Sequence, residues 1–109
     1  MKYAVTILPR ADADIERNAR WWTEHHDVDQ AVRWFFAVRS QILSLEEFPE
    51  SHALSVENDE FSCELREKLV GLGSRPSYRA VFTVRDNAVH VLAVLRAAQD
   101  RLQPGDVEL

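Results

Sequence analysis

The sequence predicts an α+β fold of order βααβββ, in which a helical hairpin packs on one face of a mainly antiparallel sheet. Two observations predict it. Three late segments, Cys63–Val70, Ser77–Arg85 and Ala88–Arg96, alternate their side chains with a period of two, as strands with two unlike faces do. Two earlier segments, from Ala11 to about His26 and from Val28 to Phe48, repeat apolar residues every three or four positions, the period of a helix with one buried stripe. A three-stranded meander is marginal alone, so the helices must cover its apolar face.

In order, Lys2–Leu8 reads as a first strand stopped by Pro9. Ala11, Ile15, Ala19 and Trp22 mark the first helix, with Asp12, Asp14 and Glu16 in its opening turns, where negative charge complements the helix dipole. That placement, rather than paired acid–base catalysis, explains the three carboxylates. The second helix carries Val28, Ala31, Val32, Phe35, Val38, Ile42, Leu45 and Phe48 on its stripe, with Asp29 as cap or first-turn charge and Pro49 as its stop. Trp34 and Phe36 fall off that stripe and are expected against the first helix, with an exposed apolar patch that a partner covers as the alternative. The acidic stretch Glu50–Phe61 has no period and reads as a long loop, mobile or functional.

Alternation places Cys63, Leu65 and Leu69 opposite Arg66 and Lys68. It places Tyr78, Ala80, Phe82 and Val84 opposite Arg79, Val81, Thr83 and Arg85, and Val89, Val91, Ala93 and Leu95 opposite His90, Leu92, Val94 and Arg96. One sheet face is then apolar, and the other carries Arg66, Lys68, Arg79 and Arg96, flanked by Arg75 and Arg85. Gly71, Gly73 and Pro76 shape the first turn, Asp86-Asn87 the second. Ala97–Leu102 is expected to add a short helical turn before Pro104-Gly105.

The length of 109 residues fits one domain, 1–109, and the apolar and charged fractions of 46% and 28% are those of a globular protein. No apolar run is long enough to span a membrane and no signal peptide precedes the first strand, so a cytoplasmic protein is expected. The single cysteine, Cys63, fits a reducing compartment and is expected to be a buried, inert thiol. His25-His26-Asp27 lacks the spaced partners a metal site needs, so no metal or cofactor is implied. Residues 1–64 hold six Lys/Arg and thirteen Asp/Glu, residues 65–96 six and two, and residues 97–109 one and three, giving a net charge of −5. The cations are concentrated on the sheet, so any contact with a polyanion acts within about 8 Å, the Debye length at physiological salt.

Phosphate-cradling glycine loops, nucleophile elbows and Cys/His pairs are missing from the sequence. What remains is the cationic sheet face, read either as a solvated surface or as several guanidinium groups converging on a phosphate. Ala13-Asp14-Ile15, Ala31, Phe35, Ile42, Leu45, Phe48-Pro49, Leu65-Arg66, Leu69-Val70-Gly71, Tyr78-Arg79, Phe82, Val84, Val89 to Val94 and Arg96, in that order and spacing, resemble the RelE/ParE toxin family. These are the toxin halves of bacterial type II toxin–antitoxin systems, often called plasmid stabilisation proteins. The resemblance implies growth arrest, a cognate antitoxin that wraps the toxin in a hetero-oligomer, and one of two targets. ParE-like members bind DNA gyrase, whereas RelE-like members cleave mRNA on the ribosome.

For the RelE type, the resemblance carries Arg66 and Lys68 onto its paired basic positions, Arg79 onto its central arginine, and Arg96 within one position of its late arginine. Arg79 and Arg96 would then hold phosphate, with Lys68 as proton-transfer group. The RelE-type tyrosine has no counterpart, since residues 97–109 contain neither Tyr nor His. General acid–base assistance is worth about 10² to 10⁴ in rate. That vacancy and the acidic balance favour the ParE type, with a ribonuclease, or a non-toxic interaction module on the same fold, as the alternatives.

Overall fold

The computed structural model describes residues 2–98 and 100–107. Strand β1 (Ala4–Ile7) leads into helix α1 (Pro9–His25), where Pro9 both ends the strand and occupies the first helical turn, a position that needs no N–H donor. The chain breaks at Asp27, whose carboxylate accepts the Gln30 amide at 2.8 Å and so caps α2 (Val28–Leu43) in place of Asp29. Burying Trp34 completely turns the stripe of α2 to Ala31, Trp34, Val38 and Ile42. Val28, Val32 and Phe36 are left exposed in consequence. The helix also ends earlier than its apolar period suggests: a 3-10 turn (Ser44–Glu46) carries Leu45 into the core, and Phe48 lies outside with a left-handed backbone, φ 53°.

Strands β2 (Arg66–Val70), β3 (Tyr78–Arg85) and β4 (Ala88–Arg96) join β1 in one sheet of order β1-β4-β3-β2, antiparallel except for the β1–β4 pair. Asp86 and Asn87 both adopt positive φ, 53° and 62°, the geometry of a two-residue hairpin turn matched to strand twist. Between helices and sheet lie Ile15, Trp34, Val38 and Ile42 against Val70, Tyr78, Phe82 and Val91. The Trp34 and Tyr78 rings meet edge-on with centroids 4.9 Å apart.

The predicted facing of the strands is overturned by one extra residue. Val81 pairs with Ala93 and Phe82 with Val91, so Leu92 is inserted in β4 as a β-bulge. Before it, Val89 and Val91 face the helices; after it, Val94 and Arg96 do, while Leu92, Ala93 and Leu95 join the other face. β2 is also turned relative to the expectation, because Arg66 lies opposite Phe82, Lys68 opposite Ala80 and Val70 opposite Tyr78, and directly paired residues share a face. Leu65, Glu67 and Leu69 therefore belong to the face away from the helices.

That far face is not a solvated surface. Leu65, Val81, Leu92, Ala93, Leu95 and Leu102 form a second buried cluster, against which Leu8, Phe61, Cys63 and Val107 pack. Cys63 is half-buried rather than enclosed. The cover is the Glu50–Phe61 stretch, which is no loose loop: 3-10 turns at Pro49–Ser51 and Asn58–Glu60 and hydrogen bonds from Ser55 N to Leu65 O (2.8 Å) and Glu67 N to Ala53 O (3.0 Å) fasten it to β2. The tail turns once after β4, where Asp100 N donates to Arg96 O at 3.2 Å and Gln99 lies outside the described residues, and it then contributes Leu102 and a 3-10 turn at Pro104–Asp106.

Candidate functional site

The six cations expected on one face are divided by this topology. Arg79 points into the far face and is almost fully buried; Arg85 shares that face but lies exposed at the strand end. Arg66 and Lys68 sit on the helix-side face at the β2 edge, and Arg96 is on the same side at the other end of the sheet, paired with Tyr78. Arg75 is exposed in the β2–β3 turn. No common face gathers them, because the β2 register and the bulge at Leu92 each reverse an assignment that simple alternation makes.

Arg79 is engaged at both terminal nitrogens, while its buried Nε has no hydrogen-bond partner among the described residues. Its Nη1 and Nη2 donate to the two oxygens of Glu57 at 2.7 and 2.6 Å, Nη1 also reaches Glu67 at 3.3 Å, and Nη2 reaches the Asp100 carbonyl at 3.0 Å. Glu57, fully buried, additionally accepts the Leu102 amide at 2.8 Å and the Ser55 hydroxyl. Burial pushes the Glu57 carboxyl up, but the hydrogen bonds from Arg79, Leu102 and Ser55 and the Arg79 charge outweigh it and bring it to about 2. The same hydrogen bonding to Glu57 raises the Arg79 guanidinium further, against its desolvation. The pair bolts strand β3 to the covering segment and the tail, and it commits both terminal nitrogens of the buried Arg79 to partners within the chain.

Arg66 and Lys68 have a neighbour that sequence reasoning missed. Arg66 donates to the His52 carbonyl and to Glu64 Oε1 at 2.9 Å, and His52 lies edge-on to Phe82 with centroids 6.0 Å apart. Desolvation, then the charges of Lys68 and Arg66, lower the His52 imidazole below its ordinary range and favour its neutral form. Nothing in the aperiodic stretch around His52 signals this neighbour; only the β2 register does. Glu57 was equally hidden, its one hint being the alternation of Leu54, Ser55, Val56 and Glu57.

Two surface features flank these groups. Val28, Val32 and Phe36, spaced by four on α2, form an exposed apolar stripe beside a groove of about 230 Å³ shared with Ala19, Thr23 and Phe35. At the same, turn end of the helical hairpin but toward the sheet, Trp21, Trp22, His26, Tyr78 and Arg96 line a cleft of about 320 Å³. Among the described residues no group of three His, Cys, Asp or Glu is placed to hold a metal ion, and no helix is long and apolar enough to cross a membrane.

Residues 5–101 match the family described as the ParE toxin of type II toxin–antitoxin systems, parDE. No curated protein matches the chain by sequence. Among solved structures, a chain of the chromosomal ParDE TA system from P. aeruginosa superposes with a TM-score of 0.71 at 16% identity, over 87% of this chain and 96% of that one. At that identity the likeness bears on the fold, which is α+β and ParE-like.

Proposed function

The chain belongs to the ParE toxin family of type II toxin–antitoxin systems, and from that premise we propose that it arrests growth by binding DNA gyrase, without catalysis of its own, until a cognate antitoxin neutralises it. The observation that carries this reading is the buried Arg79–Glu57 pair. A metal-independent ribonuclease needs cations aimed at one phosphate, with a proton acceptor and a proton donor beside it. Here the central arginine is bound by carboxylates, and Arg96 lies on the opposite side of the sheet. A protein-binding toxin needs instead an open, apolar surface. The Val28–Val32–Phe36 stripe has the i, i+4, i+8 spacing that accepts an amphipathic helix, and it supports the antitoxin partner in particular.

The test is a supercoiling reaction with purified gyrase, relaxed plasmid and this chain. Loss of supercoiled product together with linear DNA covalently attached to gyrase is the expected result. Undisturbed supercoiling rejects the gyrase target.

One observation favours the ribonuclease alternative: Arg66, Lys68 and the neutral-leaning His52 gather at the β2 edge, two cations beside a proton acceptor. In that reading His52, not Lys68, takes the 2′-hydroxyl proton. A His52→Ala variant that keeps toxicity and leaves transcript ends unchanged removes it.

A further inference from the structure

The cleft at the end of α1 adds Trp21, His25 and His26, exposed rings that the core does not use, to Trp22, Tyr78 and Arg96. Trp21, Trp22, His25 and His26 close the helix as two pairs four residues apart, and each pair is stacked: Trp21 on His25 with centroids 4.4 Å apart at 15°, and Trp22 on His26 at 4.5 Å and 27°. The stacks fix the two indoles, which stand edge to face with centroids 5.9 Å apart at 81°, as an aromatic corner. Tyr78 forms the facing side, its phenol pushed up by burial, and Ser77 adds a hydroxyl. The bulge at Leu92 supplies the last part, because without that extra residue Arg96 falls on the far face of the sheet and the cleft loses its cation.

Arg96 is available to a ligand. Its intramolecular partner is Asp100, reached by Nε and Nη2 at 3.3 Å each, and both side chains are well exposed, at 49% and 37%. An exposed pair of that length is worth about 0 to 1 kcal/mol, so a bidentate anion competes for the guanidinium. Arg17 lines the recess on the other side of Trp21, together with Arg96 and Asp100, so a second cation lies nearby. Among the described residues the buried indole N–H of Trp22 makes no hydrogen bond of good geometry, and the Tyr78 hydroxyl is the acceptor beside it.

An aromatic corner, a guanidinium at its lip and a volume of about 320 Å³ together suit a planar ring that carries one anionic group. The geometry points to a nucleotide-binding site, in which the base stacks on Trp21 with Trp22 edge-on beside it and the phosphate takes Arg96. The volume admits one nucleotide. It is either a free mononucleotide or the phosphorylated end of a single strand, and the two present the same chemistry to the cleft. This site shares no lining residue with the groove beside the Val28–Val32–Phe36 stripe proposed for the antitoxin, so its failure leaves that reading untouched.

The experiment is calorimetric titration of the purified chain with AMP, GMP and a 5′-phosphorylated deoxyadenosine oligomer, with adenosine as the uncharged control. Saturable binding by AMP or GMP is expected, with adenosine at least about tenfold weaker, since a charge-assisted contact to phosphate is worth more than the 1.4 kcal/mol of one decade. Arg96→Gln and Trp21→Ala, both at exposed positions, should keep the thermal transition and each lose about tenfold or more in affinity. An oligomer bound more tightly than AMP identifies a strand end as the ligand; equal affinity identifies the free nucleotide. No saturable heat from any of the four at about 5 mM, or binding indifferent to both substitutions, overturns the proposal.

Discussion

Glu57 and Arg79, 22 residues apart in the chain, form a buried two-pronged ion pair with contacts of 2.6 and 2.7 Å. It joins a segment without regular structure to the central antiparallel strand, and through the Leu102 amide it also holds the tail. The energetic consequence is asymmetric. Removing one partner leaves a charge in a site closed to water, whereas replacing both with apolar residues of similar size leaves neither charge behind.

Glu57→Ala is therefore expected to lower stability by about 3 to 5 kcal/mol, read from the urea midpoint at neutral pH. The double variant Glu57→Met with Arg79→Met should recover most of that loss. If it also keeps toxicity, Arg79 acts through the fold and not on a substrate. A fully folded double variant that no longer arrests growth assigns Arg79 to the target instead.

The same pair sets a pH dependence. The folded carboxyl of Glu57 is at about 2 against 4.5 in an unfolded chain, so it contributes stability that is complete above 4.5 and is lost as pH falls through 2. Between those limits the wild type should lose stability more steeply than Glu57→Gln. Parallel curves of denaturation midpoint against pH for the two chains contradict this.

Asp14 plays the corresponding part on the helix side. Fully buried in α1, it accepts Arg10 Nε at 3.0 Å, Arg17 Nη2 at 2.8 Å and, across the core, the Val94 amide at 3.0 Å, two residues past the bulge at Leu92. Asp14→Ala leaves that amide without an acceptor, at a cost of about 1 to 3 kcal/mol. Hydrogen exchange at Val94 should accelerate more than exchange at Val81, whose environment the substitution does not touch.

His52 is held toward its neutral form by burial and by the charges of Lys68 and Arg66. Lys68→Met removes one of those charges, so the imidazole should titrate at higher pH, closer to 6.5, as followed by the ring proton shifts in NMR. An unchanged titration separates Lys68 from His52.

The antiparallel meander, the helical hairpin and their order were legible in the sequence because periods of two and three to four are local properties that survive into the fold. The site was not, because the side of the sheet on which Arg66, Lys68, Arg79 and Arg96 fall depends on pairing register. Register is a relation between strands: Arg66 opposite Phe82, and Leu92 opposite nothing. Alternation counted along β4 places Arg96 beside Arg79, and a single inserted residue reverses it. Glu57 and His52 escaped notice for a related reason, since they come from an aperiodic segment whose meaning lies entirely in the strand it covers. Trp34 entered the core against the apparent stripe because its large apolar surface outweighs that of Val28 and Val32.

The central claim is that this chain harms the cell through an exposed protein-binding surface and not through its sheet cations. It is tested most directly by inducing the chain alone in cells and examining plasmid DNA and messenger RNA from the same culture. The account predicts linear DNA covalently bound to gyrase alongside full-length transcripts. Normally supercoiled DNA alongside transcripts cut within their coding regions contradicts it.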